Sequence, residues 1–311
     1  MRGIITTPIL LIAFNRPKCI SEVFEQVRKV KPTKLYYAVD GARNGKDEED
    51  KVNACRDIIK QVDWDCEVHT LFRNKNVGCG HGPSDAISWA FENEDRLIVL
   101  EDDCVPSLSF FYFCEEMLER YENDTRVNMI SGRSHQSGSI YFKDQDYIFT
   151  YWAHTWGWAT WKRCWEQFDM MVSDIPDFLA MGGALNLLAT KAQGKKINKG
   201  LQALYNHRKW EATHSWDSQW SYTRLKTGLG IVPCKNLIHN IGDYGTHSGG
   251  HSKVHDMPAE EMPETLRHPK FIIPNKGYEI LHYKRHIKKS NNIIIRGYKK
   301  IVREFKSKFI R

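Results

Sequence analysis

The N-terminal third of the chain repeats one pattern: a short run of apolar residues ends at a polar residue, and apolar residues at helical spacing follow. Ile9 to Phe14 is the first run and Lys34 to Val39 the second. A third strand is expected around Cys66 to Phe72, and Arg96 to Leu100 is a fourth run. Strands that alternate with helices form mostly parallel sheets. The pattern therefore predicts an α/β fold with a mostly parallel sheet flanked by helices.

The chain has 311 residues, which suits two compact lobes or one large α/β domain. Residues 1–105 hold the regular strand and helix pattern, whereas residues 106–283 are less regular. Asn76 to Pro83, with three glycines, is predicted to be a loop, and Ser215 to Lys226 is predicted to be a helix. The composition is close to the globular average, which excludes disordered and disulfide-scaffold classes.

The positive charge of the chain is concentrated at its C-terminus. Residues 284–311 contain 11 Lys and Arg and one acid, a net charge of +10, which leaves residues 1–283 near −3. From Asn292 onward apolar residues share one helical face and basic residues occupy the rest, which predicts a C-terminal amphipathic helix on an anionic membrane surface. RNA binding and docking on the body are the alternatives. The large apolar residues favour the membrane, so no nucleic-acid partner is expected.

The sequence also predicts where the protein works. It has no run of 18 apolar residues, and its opening stretch has the character of a buried strand rather than a signal peptide. Its eight cysteines form no C-x-x-C pair, so we expect free thiols in a reducing cytosol. We therefore expect a cytoplasmic protein, peripheral on the inner face of the cell membrane.

Three consecutive acidic residues are the sharpest chemical signal. Glu101, Asp102 and Asp103 directly follow the apolar run Leu97 to Leu100. Adjacent carboxylates repel one another unless a cation or hydrogen-bond donors offset their charge, and all-oxygen ligands suit Mg²⁺ or Mn²⁺. The alternative is a solvated acidic turn. The apolar run before the acids and the predicted turn into a helix after them favour the metal.

Charged residues follow three of the predicted strands. Arg16 comes after the first, Asp40 after the second and Asp103 after the fourth. Ligands of open parallel sheets bind outside the carboxyl ends of the strands. We therefore expect these three side chains to border one ligand site.

Five short motifs, in this order, resemble those of the GT-A-fold glycosyltransferases, which have a Rossmann-like sheet: Ile12-Ala13-Phe14-Asn15-Arg16, Val39-Asp40-Gly41, Ser88-Trp89-Ala90-Phe91, Leu100-Glu101-Asp102-Asp103 and Phe110-Phe111. The family that this chain resembles is the alpha-1,3-mannosyl-glycoprotein beta-1,2-N-acetylglucosaminyltransferases, whose metal motif is also Glu-Asp-Asp. Two later segments resemble that family's Trp-Asp-Asp-Trp segment and its Phe-Gly…Ser-His loop: Trp216-Asp217-Ser218-Gln219-Trp220 and Ile241-Gly242 to His247-Ser248. The resemblance covers residues 8–250.

The resemblance implies roles at the donor site. Asp103 would bind the Mn²⁺ or Mg²⁺ that bridges the donor diphosphate, and Glu101 and Asp102 would face the donor sugar and the ribose. Asp40 would accept a hydrogen bond from a uracil N–H. Arg16 would meet the base or the diphosphate, which suits a guanidinium.

The resemblance also implies a general base, Asp217. An inverting transfer needs a carboxylate near the acceptor hydroxyl. The family places its base at the second Asp of its segment, where this chain has Ser218, and Gln219 shifts the register. The alternative is that Ser215 or Asp217 caps the following helix.

His247 would lie near the diphosphate or the metal, by the same resemblance. The spacing of four between His247, His251 and His255 raises a zinc site as the alternative, but Gly249 and Gly250 disfavour a helix there.

Five tryptophans lie between residues 152 and 165. Trp158, Trp161 and Trp165 have the core spacing of a helix, which leaves Trp156 and Gly157 as possible ligand neighbours.

Together these features imply a metal-dependent inverting glycosyltransferase that uses a nucleotide-sugar, with residues 1–105 as the donor half and residues 106–283 as the acceptor half. The resemblance and the missing export signal imply a bacterial enzyme of surface polysaccharide assembly, with a glycan or lipid-linked glycan as acceptor. One alternative is a sugar-phosphate nucleotidyltransferase, although Phe14 to Pro17 lacks that class's glycine-rich loop and later lysine. The other is a non-catalytic glycan-binding or nucleic-acid-binding protein on the same scaffold.

Overall fold

The computed structural model describes residues 3–242 and 256–288. Its strands are β1 (Ile9–Ala13), β2 (Lys34–Val39), β3 (Glu67–Phe72), β4 (Arg96–Glu101), β5 (Cys104–Pro106), β6 (Val127–Ser131), β7 (Tyr147–Thr150), β8 (Trp158–Trp161), β9 (Leu229–Pro233) and β10 (Ile238–Asn240). Eight of them form one sheet in the order β3-β2-β1-β4-β8-β6-β9-β7, and β10 pairs with β5 in a small antiparallel sheet.

The helices lie between these strands and cover the sheet. They are α1 (Pro17–Val30), α2 (Glu49–Asp57), α3 (Gly78–Phe91), α4 (Leu108–Arg120), α5 (Lys162–Trp165), α6 (Ile175–Ala180), α7 (Lys191–Asn206), α8 (Arg208–His214), α9 (Asp217–Thr227) and α10 (Lys276–His282). Short 3₁₀ turns occur at Ile58–Gln61, Ile140–Phe142 and Gly183–Leu185, and a π-helical turn follows α10 at Tyr283–Ile287. No helix of the described residues has the length and apolarity to span a membrane.

The first four strands confirm the predicted α/β fold. β1 is buried throughout and pairs in parallel with β2 on one side and β4 on the other, and β3 extends the sheet beyond β2. α1 begins with Pro17, whose missing N–H costs nothing at that position, and buries Ile20, Val23 and Val27 against the sheet. The carboxyl ends of β1, β2 and β4 consequently lie side by side.

The other half of the sheet is mixed. β8 is antiparallel to both β4 and β6, while β6 and β9 are parallel. The helix predicted through Trp158, Trp161 and Trp165 was wrong: the first two belong to β8, and Trp165 ends the four-residue α5. All three are buried as expected. Because Trp158 and Trp161 lie on a strand buried on both faces, their spacing carries no helical information.

The predicted loop from Asn76 to Pro83 was also wrong, because α3 begins at Gly78. The glycines and Pro83 suggested a loop, yet the helix runs through Pro83, which is its sixth residue. Cβ atoms at Gly78 and Gly80 would lie 2.8 and 2.0 Å from the carbonyl oxygens of Thr213 and Ala212 in α8. These glycines therefore allow α8 to lie directly on the first turn of α3.

Two further expectations are confirmed. The predicted helix from Ser215 to Lys226 corresponds to α9, and all eight cysteines are free thiols. α10 is fixed to the body through Glu279, which accepts hydrogen bonds from the Thr150 hydroxyl at 3.1 Å and the Tyr151 N–H at 3.0 Å. The amphipathic helix expected from Asn292 lies outside the described residues, which end at Lys288.

Candidate functional site

The charged residues predicted at the strand ends lie at one edge of the sheet. Arg16 precedes α1, Asp40 follows β2 and Glu101 ends β4. The parallel register sets Ile12 of β1 beside Glu101. Tight connections after β1, β2 and β4 therefore place these polar groups next to one another.

Arg16 links the second and third acids of the Glu-Asp-Asp motif. Its Nη1 donates to Asp103 Oδ2 at 2.8 Å, its Nε donates to Asp102 Oδ2 at 3.2 Å, and its Nη2 donates to Asp102 Oδ1. Asp102 is only 4% exposed. Burial lowers the pKa of Arg16, but the two carboxylates outweigh it and raise that pKa overall. The guanidinium predicted to meet the donor is thus also the internal counter-charge of the motif.

Arg16 makes no hydrogen bond to Glu101, the first acid of the motif, so the negative charge of Glu101 has no such partner. Its pKa is raised to about 8, first by burial and then by the negative charges of Asp103, Asp102 and Asp217. Burial also raises the pKa of Asp102, and the Arg16 charge opposes that shift. With Glu101 largely protonated at neutral pH, the three aspartates still outnumber the one guanidinium, which leaves an excess of negative charge.

A divalent cation fits this donor set. Carboxylate oxygens are the ligands that Mg²⁺ and Mn²⁺ prefer, and a cation would offset the repulsion that raises the pKa of Glu101. Within residues 3–242 and 256–288, no group of three or more histidine, cysteine or acidic side chains is placed to hold a metal ion. Mg²⁺ sites commonly use one or two carboxylates together with substrate phosphates and water.

Replacing Glu101 with a neutral residue tests whether burial and the neighbouring negative charges make the ionised Glu101 destabilising. A folded-state pKa near 8 against an ordinary value of 4.5 means that wild-type stability falls as pH rises through that window. We expect Glu101→Gln to increase the free energy of unfolding by about 1–2 kcal/mol at pH 8.5 in EDTA, with no gain near pH 4.5. Urea unfolding at both pH values measures this. The control is Glu92→Gln, an exposed acid just after α3; an equal gain in both variants, or at both pH values, would contradict the assignment.

The segment after β10 lies against the third acid of the motif. The Ile241 N–H donates to the Asp103 carbonyl at 2.9 Å, and a Cβ at Gly242 would lie 2.2 Å from Asp103 Oδ2. A larger residue at this position would require the Asp103 carboxylate to move, so Gly242 lets the chain pass close to the carboxylate as it stands. His247, predicted to lie near the diphosphate, falls outside the described residues together with His251 and His255, so its role and the zinc alternative stay predictions.

Asp40 has a structural task that the sequence did not reveal. It accepts hydrogen bonds from Asn76 Nδ2 at 2.9 Å, Val77 N–H at 3.1 Å, Gly78 N–H at 3.2 Å and its neighbour Gly41 N–H at 2.9 Å. Burial raises the pKa of Asp40, and the backbone donors oppose that shift. Asp40 therefore anchors the start of α3, and its contact with a uracil N–H stays a prediction.

Asp217 is the first residue of α9 and is exposed. The Ser215 hydroxyl donates to Asp217 Oδ1 at 2.7 Å, while the N-cap position belongs to Trp216, which makes no side-chain capping bond. The capping alternative for Ser215 or Asp217 was therefore wrong. The charge of Asp217 raises the pKa values of Glu101 and Cys79, so α9 brings this carboxylate close to the acidic motif. Its role as general base stays a prediction.

Cys79 and the glycines beside it contribute to the site and were missed as site residues. The Cys79 thiol donates to the His214 carbonyl at 2.6 Å, which attaches the end of α8 to α3. Burial first, and then the charges of Glu101 and Asp217, raise the pKa of Cys79 to about 11. The thiol is therefore protonated at neutral pH. Glycines at every second position, Gly78, Gly80 and Gly82, are the sequence feature that could have indicated the close approach of another backbone segment.

The tryptophan block is mainly structural. Trp158 contacts Trp216, Trp220 and Trp165 at ring-centroid distances of 5.7, 5.5 and 6.2 Å. These contacts join β8 to the start of α9 and so help to place Asp217. The possible roles of Trp156 and Gly157 as ligand neighbours stay predictions.

Comparisons with known proteins give partial similarities. No protein-family model and no curated protein sequence matches the chain. The chain is similar to the mannosyltransferase PcManGT from Pyrobaculum calidifontis in complex with GDP-Man and Mn²⁺, with 10% identity and a TM-score of 0.42 over 74% of this chain and 55% of that chain. It is also similar to HddC from Yersinia pseudotuberculosis complexed with GMP-PN, with 12% identity and a TM-score of 0.33 over 52% of this chain and 79% of that chain.

A further similarity is to the 4-diphosphocytidyl-2C-methyl-D-erythritol synthase from Anaerococcus prevotii, with 10% identity and a TM-score of 0.33 over 63% of this chain and 99% of that chain. The chain thus spans about half the length of the mannosyltransferase. Similarities at these scores assign no activity to the chain.

Proposed function

We propose that the protein is a metal-dependent inverting glycosyltransferase that moves a sugar from a nucleotide-sugar, a UDP-sugar by its resemblance, to a hydroxyl of a glycan or lipid-linked glycan in surface polysaccharide assembly. One observation carries the proposal: the exposed carboxylate of Asp217 lies close enough to the strand-end acids to raise the pKa of Glu101. A site with acids for a cation on one side and a separate exposed carboxylate on the other suits this reaction.

The residues divide into two tasks. Asp217 takes the proton of the attacking hydroxyl, and the Ser215 hydroxyl holds Oδ1 of that carboxylate in place. Arg16 fixes Asp102 and Asp103 in one orientation, and Asp103, with Glu101 and Asp102 beside it, would hold the cation. A bound Mn²⁺ or Mg²⁺ supplies positive charge that offsets the charge growing on the departing diphosphate. Asp40 keeps α3 against the same edge.

Calorimetry with nucleotides tests this function. We expect UDP to bind in the presence of Mn²⁺ and to bind at least tenfold more weakly in EDTA. A panel of UDP-sugars and other nucleotide-sugars should then show selective Mn²⁺-dependent hydrolysis. Binding of nucleotide without any metal effect would contradict the proposal, and formation of nucleotide-sugar from a sugar phosphate and UTP would indicate a nucleotidyltransferase. Carbohydrate binding with no nucleotide binding would indicate a non-catalytic glycan-binding protein.

We also propose that residues 284–311, with a net charge of +10, hold the site at the inner face of an anionic membrane. The whole chain should float with vesicles that contain phosphatidylglycerol. A chain ending at residue 283 that floats equally well would exclude this role for the tail.

A further inference from the structure

Trp210 differs from every other tryptophan of the chain in its exposure. All ten tryptophans lie among the described residues, and Trp210, at 56%, is the one that is largely exposed. Single apolar residues at a surface are ordinary. Trp210 differs from such residues because another ring holds it in one orientation and because its helix lies next to the site.

The indole ring is held in one orientation. It stacks on the His214 imidazole one helical turn later, with a centroid distance of 4.2 Å and an interplanar angle of 12°. The His214 ring in turn contacts the Trp210 carbonyl at 2.8 Å and the Thr213 hydroxyl at 2.6 Å through Nδ1. A ring fixed before a ligand arrives loses little conformational freedom on binding.

The helix that carries Trp210 lies beside the site. α8 rests on the first turn of α3 through Gly78 and Gly80, and Cys79 bonds its last residue, His214. Burial raises the pKa of Glu211, the residue next to Trp210 on α8, and the charge of Asp217 raises that pKa further. Only two residues, Ser215 and Trp216, separate His214 from Asp217. Trp210 therefore lies one helical turn before the short segment that leads from α8 to the group proposed to receive the acceptor proton.

We propose that Trp210 is the acceptor platform, on which a pyranose ring of the acceptor glycan lies while one of its hydroxyls faces Asp217. This inference rests on the proposed function and adds the residue on which the acceptor glycan lies. The face of an aromatic ring is electron-rich, and the polarised C–H bonds of a pyranose pack against it. Glu211, the next residue of α8, supplies a carboxylate that can accept hydrogen bonds from sugar hydroxyls. The buried tryptophans of β8 and α9 offer no such surface.

Saturation-transfer NMR on the full chain tests the platform. The probes are the methyl pyranosides of glucose, galactose, mannose and N-acetylglucosamine, with UDP and diamagnetic Mg²⁺ present. We expect saturation of the ring C–H protons of at least one glycoside, a loss of at least fivefold in Trp210→Ala, and more than half of the wild-type signal in Trp210→Phe. The matched control is Phe271→Ala, which removes a 62% exposed aromatic ring outside the site and should change nothing.

Three results would overturn the inference: wild-type signals in Trp210→Ala, no signal from any glycoside with wild-type protein, or a Trp210→Phe variant as weak as the alanine variant. Melting temperatures confirm that each variant is folded, and the phenylalanine variant preserves the test if the alanine variant is not. The calorimetry of nucleotide binding uses wild-type protein alone. Failure of the proposed function therefore shows there, while failure of the platform shows only in the glycoside comparison.

Discussion

Asp217→Asn is expected to fold normally and to lower sugar transfer by roughly 10²-fold or more, since a positioned general base contributes about 10²–10⁴ to the rate. The amide keeps the shape of the side chain and can still contact the Ser215 hydroxyl, but it cannot take the proton of the attacking hydroxyl. Removing this negative charge also removes an electrostatic repulsion that raises the pKa values of Glu101 and Cys79. The variant should therefore be at least as stable as wild type. The measurement is the rate of UDP release from the preferred donor with an acceptor glycoside, together with the melting temperature.

Ser218→Ala is the matched control for this variant. Ser218 is the adjacent exposed residue and stands where the resembled family has its catalytic acid. We expect its rate to stay within twofold of wild type, because a serine hydroxyl is too weak a base for the task. A near-normal rate in Asp217→Asn would remove Asp217 from the mechanism. A large loss in Ser218→Ala with a normal Asp217→Asn would assign the reaction to the other register of the segment.

Asp103→Asn is expected to weaken Mn²⁺-dependent nucleotide binding by about 100-fold, which corresponds to about 2.7 kcal/mol. The substitution removes the negative charge proposed to hold the cation and also the charged partner of Arg16 Nη1, 2.8 Å away. Arg16 remains paired with Asp102, so the strand end should stay in place. Calorimetric titration of UDP, with Mn²⁺ and separately in EDTA, gives both affinities. The metal effect should disappear in the variant, while the affinity in EDTA should change little.

Asp63→Asn is the matched control, because it makes the same substitution in an aspartate–arginine pair away from the site. Asp63 also pairs with an arginine, Arg28, but the pair is at the surface before β3, on the opposite edge of the sheet from the site. We expect it to bind UDP and Mn²⁺ as wild type does. Equal metal dependence in Asp103→Asn and wild type would place the cation elsewhere. An equal loss in both aspartate variants would mean that general charge, and not the strand-end site, governs binding.

The sequence predicted the fold well where its signal is local. β1, β2 and β4 are apolar runs that end at a polar residue, β3 mixes polar and apolar residues, and all four appear within a few residues of their expected places. The signal failed where one local pattern allows two outcomes. Asn76 to Pro83 carries the glycines of a loop, and it is helical because Asp40 holds Val77 and Gly78 while α8 needs glycine beneath it. Trp158 and Trp161 have helical spacing, and they form a strand because their neighbours bury both faces.

The sequence by itself determined the α/β class, the acids at the end of β4 and the concentration of positive charge after residue 283, since each depends only on the residue types in one short stretch. The tertiary structure decided which charges meet: Arg16 with the acids 86 and 87 residues away, and Asp40 with the helix start 37 residues on. It also decided that Trp210 is exposed on α8, which lies on the first turn of α3. Such pairings depend on how the elements pack, because charge, burial and hydrogen bonding act through space over a few ångströms and take no account of separation along the chain.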